Sequence, residues 1–216
     1  ATALLIHLGG ALLWGAWIAL ACAGLAALAM RVITRRASWA IFGIGALAVG
    51  GWYQTIQPSQ TRNWAPEVAH GVSYSRAGDI ITLQNVRNFA WTSETEATPA
   101  WESRSYDLTK LASVDMFTSV WDSPDIAHLI VSFGFDDGKH VAFSVEIRKE
   151  LHESFSTVGG FFRQFELVLI AADEADVVRL RTNLRHEDVH LFPVKLNAEQ
   201  RQTLPLTYLD LGNKLA

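Results

Sequence analysis

The stretch Ala127-His128-Leu129-Ile130-Val131-Ser132-Phe133-Gly134-Phe135, then Asp136-Asp137-Gly138, then Lys139 to Lys149, decides the fold of this chain. It reads as a β-hairpin, two β-branched and aromatic runs separated by three turn residues. An Asp-Asp-Gly loop suits a type I turn closed by a left-handed glycine. Phe135 then pairs with Lys139, and counting back sets His128 opposite Glu146. The same register puts Leu129, Val131, Phe133, Val141, Phe143, Val145 and Ile147 on one apolar face. His128, Ser132, Ser144, Glu146 and Arg148 fall on the other, because side chains alternate along a strand. A two-residue loop would slip the pairing by one and mix the faces, which a half-buried sheet resists. The expectation is a sheet with one apolar face and one face carrying a His–Glu pair.

A histidine held by a carboxylate is the base half of a nucleophile–base–orienter arrangement. The carboxylate fixes the tautomer and stabilises the imidazolium. The plainer reading of the hairpin alone is a surface histidine and a solvated glutamate. A nucleophile has to be found elsewhere. There is no G-x-S-x-G elbow, and Ser132 and Ser144 sit at mid-strand positions that suit satisfied hydroxyls better than nucleophiles.

Charge divides the 216 residues into two parts. Residues 1–53 contain no Asp or Glu and three arginines, Arg31, Arg35 and Arg36. The remainder carries all 22 acids and 15 of the 18 basic residues, so it is acidic and excludes a nucleic-acid footprint. Ala3 to Met30 is an apolar run interrupted only by His7, longer than the ~20 residues that span a bilayer. Ser38 to Tyr53 is a second, shorter run, flanked by Trp39, Trp52 and Tyr53, residues that favour the headgroup level. The expectation is a two-helix membrane anchor over 1–53. By the positive-inside rule its arginine loop is cytoplasmic, and both chain ends face outward. A signal peptide followed by a buried helix is the alternative, but the first run is long for one and has no clear cleavage site. The single cysteine, Cys22, lies mid-helix. It allows no internal disulfide and no cysteine metal site.

Beyond the anchor, residues 54–78 read as a linker and 79–216 as an α+β domain with a mostly antiparallel sheet. Strands are expected over Asp79–Val86, Trp101–Leu108, Ser113–Trp121, Phe165–Ala171 and Asp188–Leu196, the last near an edge because of Pro193. Phe155–Gln164 fits a short helix weakened by Gly159-Gly160. Asp173 caps a helix running to about Arg181, and Asn197 with Gln200 forms a capping box for a last helix that Pro205 would kink. His186-Glu187-Asp188-Val189-His190 matches the H-E-x-x-H zinc pattern, which works only on a helix. Val189, Leu191, Phe192 and Pro193 read as strand, so the motif is set aside and no metal or other cofactor is expected.

Several blocks in order carry a family resemblance: Arg62-Asn63-Trp64-Ala65-Pro66-Glu67-Val68-Ala69, Asn85-Val86-Arg87-Asn88-Phe89-Ala90-Trp91, Arg104-Ser105-Tyr106-Asp107-Leu108, the hairpin, Ala171-Ala172-Asp173-Glu174 and Arg179-Leu180-Arg181-Thr182-Asn183. Over roughly 58–213 the chain resembles the periplasmic domain of the Lnb family of bacterial lipoprotein N-acyltransferases. The resemblance implies a circularly permuted thiol-peptidase-like (NlpC/P60-like) fold in which histidine precedes cysteine. His128 corresponds to the family's histidine. The nucleophilic cysteine is expected in an Asn-Cys-Thr motif after the last strand and helix, which Ala216 precedes, so the chain reads as a fragment inactive alone. The family also implies further membrane helices, phospholipid as acyl donor, lipoproteins as acceptors, and an inner membrane site with the domain in the periplasm. Arg87 or Arg148 could meet a lipid phosphate, though Arg148 also fits a solvated strand position. Two other readings remain open: a non-catalytic anchored binding domain, and a cysteine amidase or peptidase of the same fold.

Overall fold

The apolar residues of the hairpin, and an unbroken apolar run from Leu167 to Ala172, set the centre of the sheet. The computed structural model describes residues 2–59, 61–121 and 125–215. They form two compact units, Ala1–Thr61 with Ser154–Glu166, and Arg62–Glu153 with Leu167–Ala216.

In the first unit, α1 (Thr2–His7) leads to α2 (Gly10–Ile33), and α3 (Arg35–Gln54) follows. An extended Thr34 separates α2 from α3. Among the described residues one helix, over Gly10–Val32, is long and apolar enough to cross a membrane. The second run is helical as expected, but it opens on Arg35-Arg36, closes on Gln54 and is diluted by four glycines. A one-turn α4 (Thr157–Phe161), capped by Ser156, completes this unit.

The second unit holds β1 (Ser73–Ala77), β2 (Ile80–Arg87), β3 (Ala90–Trp91), β4 (Ala97–Thr98), β5 (Trp101–Asp107), β6 (Leu111–Val120), β7 (His128–Phe135), β8 (His140–Arg148), β9 (Glu166–Ala172) and β10 (Asp188–Pro193). Helices α5 (Glu174–Arg179) and α6 (Ala198–Leu215) complete it, and a π turn at Leu180–Leu184 extends α5. The main sheet runs β1-β2-β9-β8-β7-β6-β10, with β5 also on β2. The β2–β9 pair is parallel, while β1–β2, β2–β5, β6–β7, β7–β8 and β6–β10 are antiparallel. This is the α+β class expected, and Pro193 does lie on an edge strand.

The hairpin closes in the expected register. Phe135 N donates to Lys139 O at 2.9 Å, Gly138 N to Phe135 O at 2.9 Å, and Gly138 takes φ +81°. Ile130 then pairs with Ser144 and Gly134 with His140.

One expectation fails here. The sheet is buried on both faces, not on one. Val131, Phe133, Phe135, Val141, Phe143, Leu169 and Ala171 pack with Leu209 and Tyr208 of α6. Ile130, Ala142, Val168, Ile170 and Ala172 pack on the opposite side with Val177 of α5 and with Ala65 and Val68. A central strand covered on both sides reads as a continuous apolar run, which is what β9 is. The polar face of the hairpin is therefore enclosed: Ser132, Ser144 and Arg148 are buried. Leu129, Val145 and Ile147, assigned to the core face, are exposed at the hairpin's open end.

The segment read as linker also contributes to this unit. Trp64 pairs with Glu150, Ala65 N bonds Lys149 O at 3.0 Å, and Pro66–Val68 makes a 3-10 turn whose Val68 is buried. Strand β1 follows. The capping box forms as expected, Asn197 N to Gln200 Oε1 at 3.0 Å and Gln200 N to Asn197 Oδ1 at 2.9 Å, and α6 continues through Pro205.

Candidate active site

His128 opens β7, where Ser119 of β6 is its neighbour on one side. The hairpin register brings it to Glu146 on the other, but the contact runs through a third group. His128 Nε2 lies 2.6 Å from Ser144 Oγ, and Ser144 Oγ donates to Glu146 Oε1 at 2.7 Å. The direct Nε2–Oε1 separation is 3.4 Å. A hydroxyl that accepts from the ring and donates to the carboxylate fits the tautomer with the proton on Nε2. His128 Nδ1 makes no hydrogen bond to any described residue.

Glu146 is fixed from its far side. Arg181 Nη2 donates to Glu146 Oε1 at 3.0 Å, while Arg181 Nη1 is tied to Val177 O at 2.9 Å. Arg181 Nε also lies 3.9 Å from Glu187 Oε2. Glu187 in turn accepts a hydrogen bond from Ser119 Oγ and pairs with Arg185 at 3.8 Å. The π turn that carries Arg181 thus closes a loop of polar contacts from β6 through β10's approach to β8. Burial alone would push the Glu146 carboxyl up. The polar contact with His128 and the charges of Arg181 and Arg87 outweigh it and hold the group well below the usual carboxylate range.

A depressed folded-state pKa stabilises the protein above the ordinary value and loses that contribution as pH falls through the depressed one. The gap in thermal midpoint between the protein and Glu146→Gln is therefore expected to stay constant above the ordinary value of 4.5 and to narrow only below it. A gap that already collapses near neutral pH contradicts this electrostatic account of Glu146.

Other sequence candidates have different destinations. Arg87 is consumed by Asp176, Nε to Oδ2 at 2.9 Å and Nη2 to Oδ1 at 3.1 Å, and by Glu67 O at 2.9 Å. Arg148 is buried, donates to Val68 O at 3.1 Å and Ala69 O at 2.7 Å, and stacks 4.5 Å from the Trp64 ring. Neither is placed for a lipid phosphate, and Arg148 is not a solvated strand residue. Ser132 donates to Glu174 Oε1 at 2.5 Å. His186 and His190 do not share a helix: His186 has φ +52° and His190 lies in β10 beside Asp188 at 3.2 Å. Among the described residues no group of three or more His, Cys, Asp and Glu could hold a metal ion. An open groove lined by Arg104, Tyr106, Lys139, His140, Asp173 and Glu174 lies at the turn end of the hairpin, away from His128.

The family model described as the Lnb N-terminal periplasmic domain matches residues 97–216. The chain belongs to this family. The matched region spans β4 to α6 and so contains His128, Ser144, Glu146, Arg181 and Glu187. The blocks at 62–69 and 85–91 that resemble the Lnb family lie ahead of it. No curated protein and no solved structure matches the chain. A periplasmic domain family and the apolar helix α2 together point to a membrane-anchored Lnb protein.

Sequence reading missed the parts played here by Ser144, Arg181, Ser119 and Glu187. Ser144 stood on the correct face but was read as an isolated hydroxyl. Its spacing two residues before Glu146 on one strand face is the signal that places it between the carboxylate and the cross-strand histidine. Arg181 sits within a block shared with the Lnb family, but only the tertiary packing of α5 against β8 aims it at Glu146.

Proposed function

We propose that this Lnb domain supplies the base and the orienting groups of a membrane-tethered lipoprotein N-acyltransferase. The observation that carries the reading is the state of His128. Its Nε2 is occupied by the Ser144–Glu146–Arg181 chain, and among the described residues its Nδ1 has no hydrogen-bond partner, as suits a base beside a nucleophile. Within this reading the nucleophile is a cysteine thiol outside these 216 residues, since Cys22 lies in α2. His128 takes the thiol proton, and the thiolate attacks an ester carbonyl of a phospholipid. The acyl C–O bond breaks, His128 returns the proton to the lysophospholipid alkoxide, and a thioester remains. The α-amino group of a diacylglyceryl-cysteine lipoprotein then attacks the thioester. His128 accepts the amine proton as the thiolate leaves, and the amide is formed.

The same proposal assigns residues 1–53 to a two-span anchor in the inner membrane, α2 and α3, with Arg31, Arg35 and Arg36 cytoplasmic. Residues 79–216 form the catalytic-type domain, of the permuted thiol-peptidase kind, facing the periplasm. Its partners are phospholipid and bacterial lipoproteins, and no nucleic acid. The acid-free, apolar amino-terminal segment supports the anchor, and the excess negative charge of the remainder supports the exclusion of nucleic acid.

Glu146→Gln in the intact protein tests the reading. Gln keeps the shape but loses the charge that stabilises the imidazolium, so N-acylation should fall by between about 10²- and 10⁴-fold. Retention of the normal rate would remove Glu146 from the mechanism, whereas no N-acylation by the unaltered protein would favour a binding domain. Release of a cell-wall peptide by the unaltered protein, without lipid, would point to an amidase instead.

A further inference from the structure

Residues 154–166 link β8 to β9 in sequence, yet they cluster with the amino-terminal helices. His7 Nε2 bonds Phe162 O at 2.7 Å, and Tyr53 OH donates to Phe161 O at 3.4 Å. Arg163 Nη1 donates to Tyr53 O at 3.2 Å, and its guanidinium lies 4.6 Å from the Tyr53 ring. Tyr53 lies in the last turn of α3 and His7 precedes α2, so the segment is pinned to one end of the helical pair, where Trp52 also meets His7 edge-on at 6.3 Å. Its outer surface is apolar: Phe155, Val158 and Phe161 are 63%, 57% and 79% exposed. Between Ser154 and Phe165 the one charged residue is Arg163.

We infer that residues 154–166 form a finger that enters the headgroup layer of the same bilayer that holds α2. The occupant of its apolar surface is lipid, because the segment is bonded to His7 and Tyr53, at the end of the same helical unit whose α2 exposes Leu12, Trp14 and Ile18 and is long and apolar enough to cross a membrane. Tryptophan and tyrosine beside it match the composition of the membrane–water boundary. Its depth follows from its backbone. Ser156 caps Gly159 N at 3.1 Å, and Phe162 N and Gln164 N both turn back to Gly159 O. One turn of helix still leaves polar groups to be hydrated, which the headgroup layer allows and the hydrocarbon core does not. Amphipathic segments of this kind seat about 5–10 Å into the headgroup–acyl boundary. In the acyl-transfer reading, the finger would touch the surface where a phospholipid ester is presented. The inference rests on the membrane-anchored reading and not on the transfer step.

Cys22 is the chain's one cysteine and supplies a depth reference. The intact protein, with any cysteine outside residues 1–216 replaced by Ser, is placed in phosphatidylethanolamine–phosphatidylglycerol bilayers with a nitroxide on Cys22. In a Cys22→Ser background the label is moved to Phe161→Cys, to Val158→Cys (which retains Phe161), or to Thr95→Cys in the β3–β4 turn. Collisions with oxygen, which concentrates in lipid, are compared with collisions with an aqueous nickel chelate. The expected result is oxygen-dominated relaxation at Cys22, nickel-dominated relaxation at Thr95, and several-fold lower nickel access at Phe161 and Val158 than at Thr95. If both finger positions match Thr95 while Cys22 remains in lipid, the finger is refuted and the anchor stands. Shielding from both reagents means a protein contact and also refutes it. A nickel-accessible Cys22 overturns the membrane reading itself. None of these outcomes depends on acyl transfer.

Discussion

His128→Ala in the intact protein is expected to lower N-acylation of lipoprotein by about 10²- to 10⁴-fold, the range a positioned general acid–base contributes. The loss should fall on catalysis and not on the fold. His128 is partly exposed, and its ring bonds Ser144 Oγ at 2.6 Å. When the ring is removed, Ser144 still donates to Glu146, and Glu146 still accepts from Arg181. No buried charge is orphaned, so the stability cost should stay within roughly 1 kcal/mol. Mass spectrometry of lipoprotein amino termini gives the rate, and a thermal midpoint measured alongside gives the stability. Undiminished acylation would remove His128 from the mechanism. A large fall in the thermal midpoint would mean that the histidine is structural.

Asp176→Ala should have the reverse signature, a large loss of stability. Asp176 is fully buried and accepts four hydrogen bonds: two from Arg87, one from Phe89 N at 2.9 Å and one from Trp91 Nε1 at 2.7 Å. Arg87, 3% exposed, would retain only Glu67 O. Removing one partner of a buried pair leaves an uncompensated charge and costs about 3–5 kcal/mol. The cost would also reach the site, because α5 carries Asp176 and continues into the turn that carries Arg181. Denaturant unfolding of the variant checks this directly; a change below about 1 kcal/mol would show that the pair is not needed to hold α5 in place.

The hairpin was legible because two independent signals agreed. The Asp-Asp-Gly turn set the register, and only that register separated the apolar residues from His128 and Glu146. The Asn197–Gln200 box and the edge position of Pro193 were legible for similar local reasons. What covers the polar face was not. Arg148 and Arg87 bond to carbonyls and a carboxylate about 20 to 90 positions away in sequence, and no local pattern reports such partners. Strand β1, Ser73-Tyr74-Ser75-Arg76-Ala77, is mostly exposed and lacks apolar alternation, so it passed for linker. Trp64, inside the segment read as linker, docks on the domain against Arg148 and Glu150.

His128 is proposed to serve acyl transfer from phospholipid to a lipoprotein amine. The most direct measurement supplies the intact protein with phospholipid carrying an isotope-labelled acyl chain and weighs the lipoprotein's amino-terminal peptide. The account predicts a labelled amide with the unaltered protein and none above background with His128→Ala. A peptide that gains no labelled acyl group from the unaltered protein, or gains it equally from the variant, would contradict it.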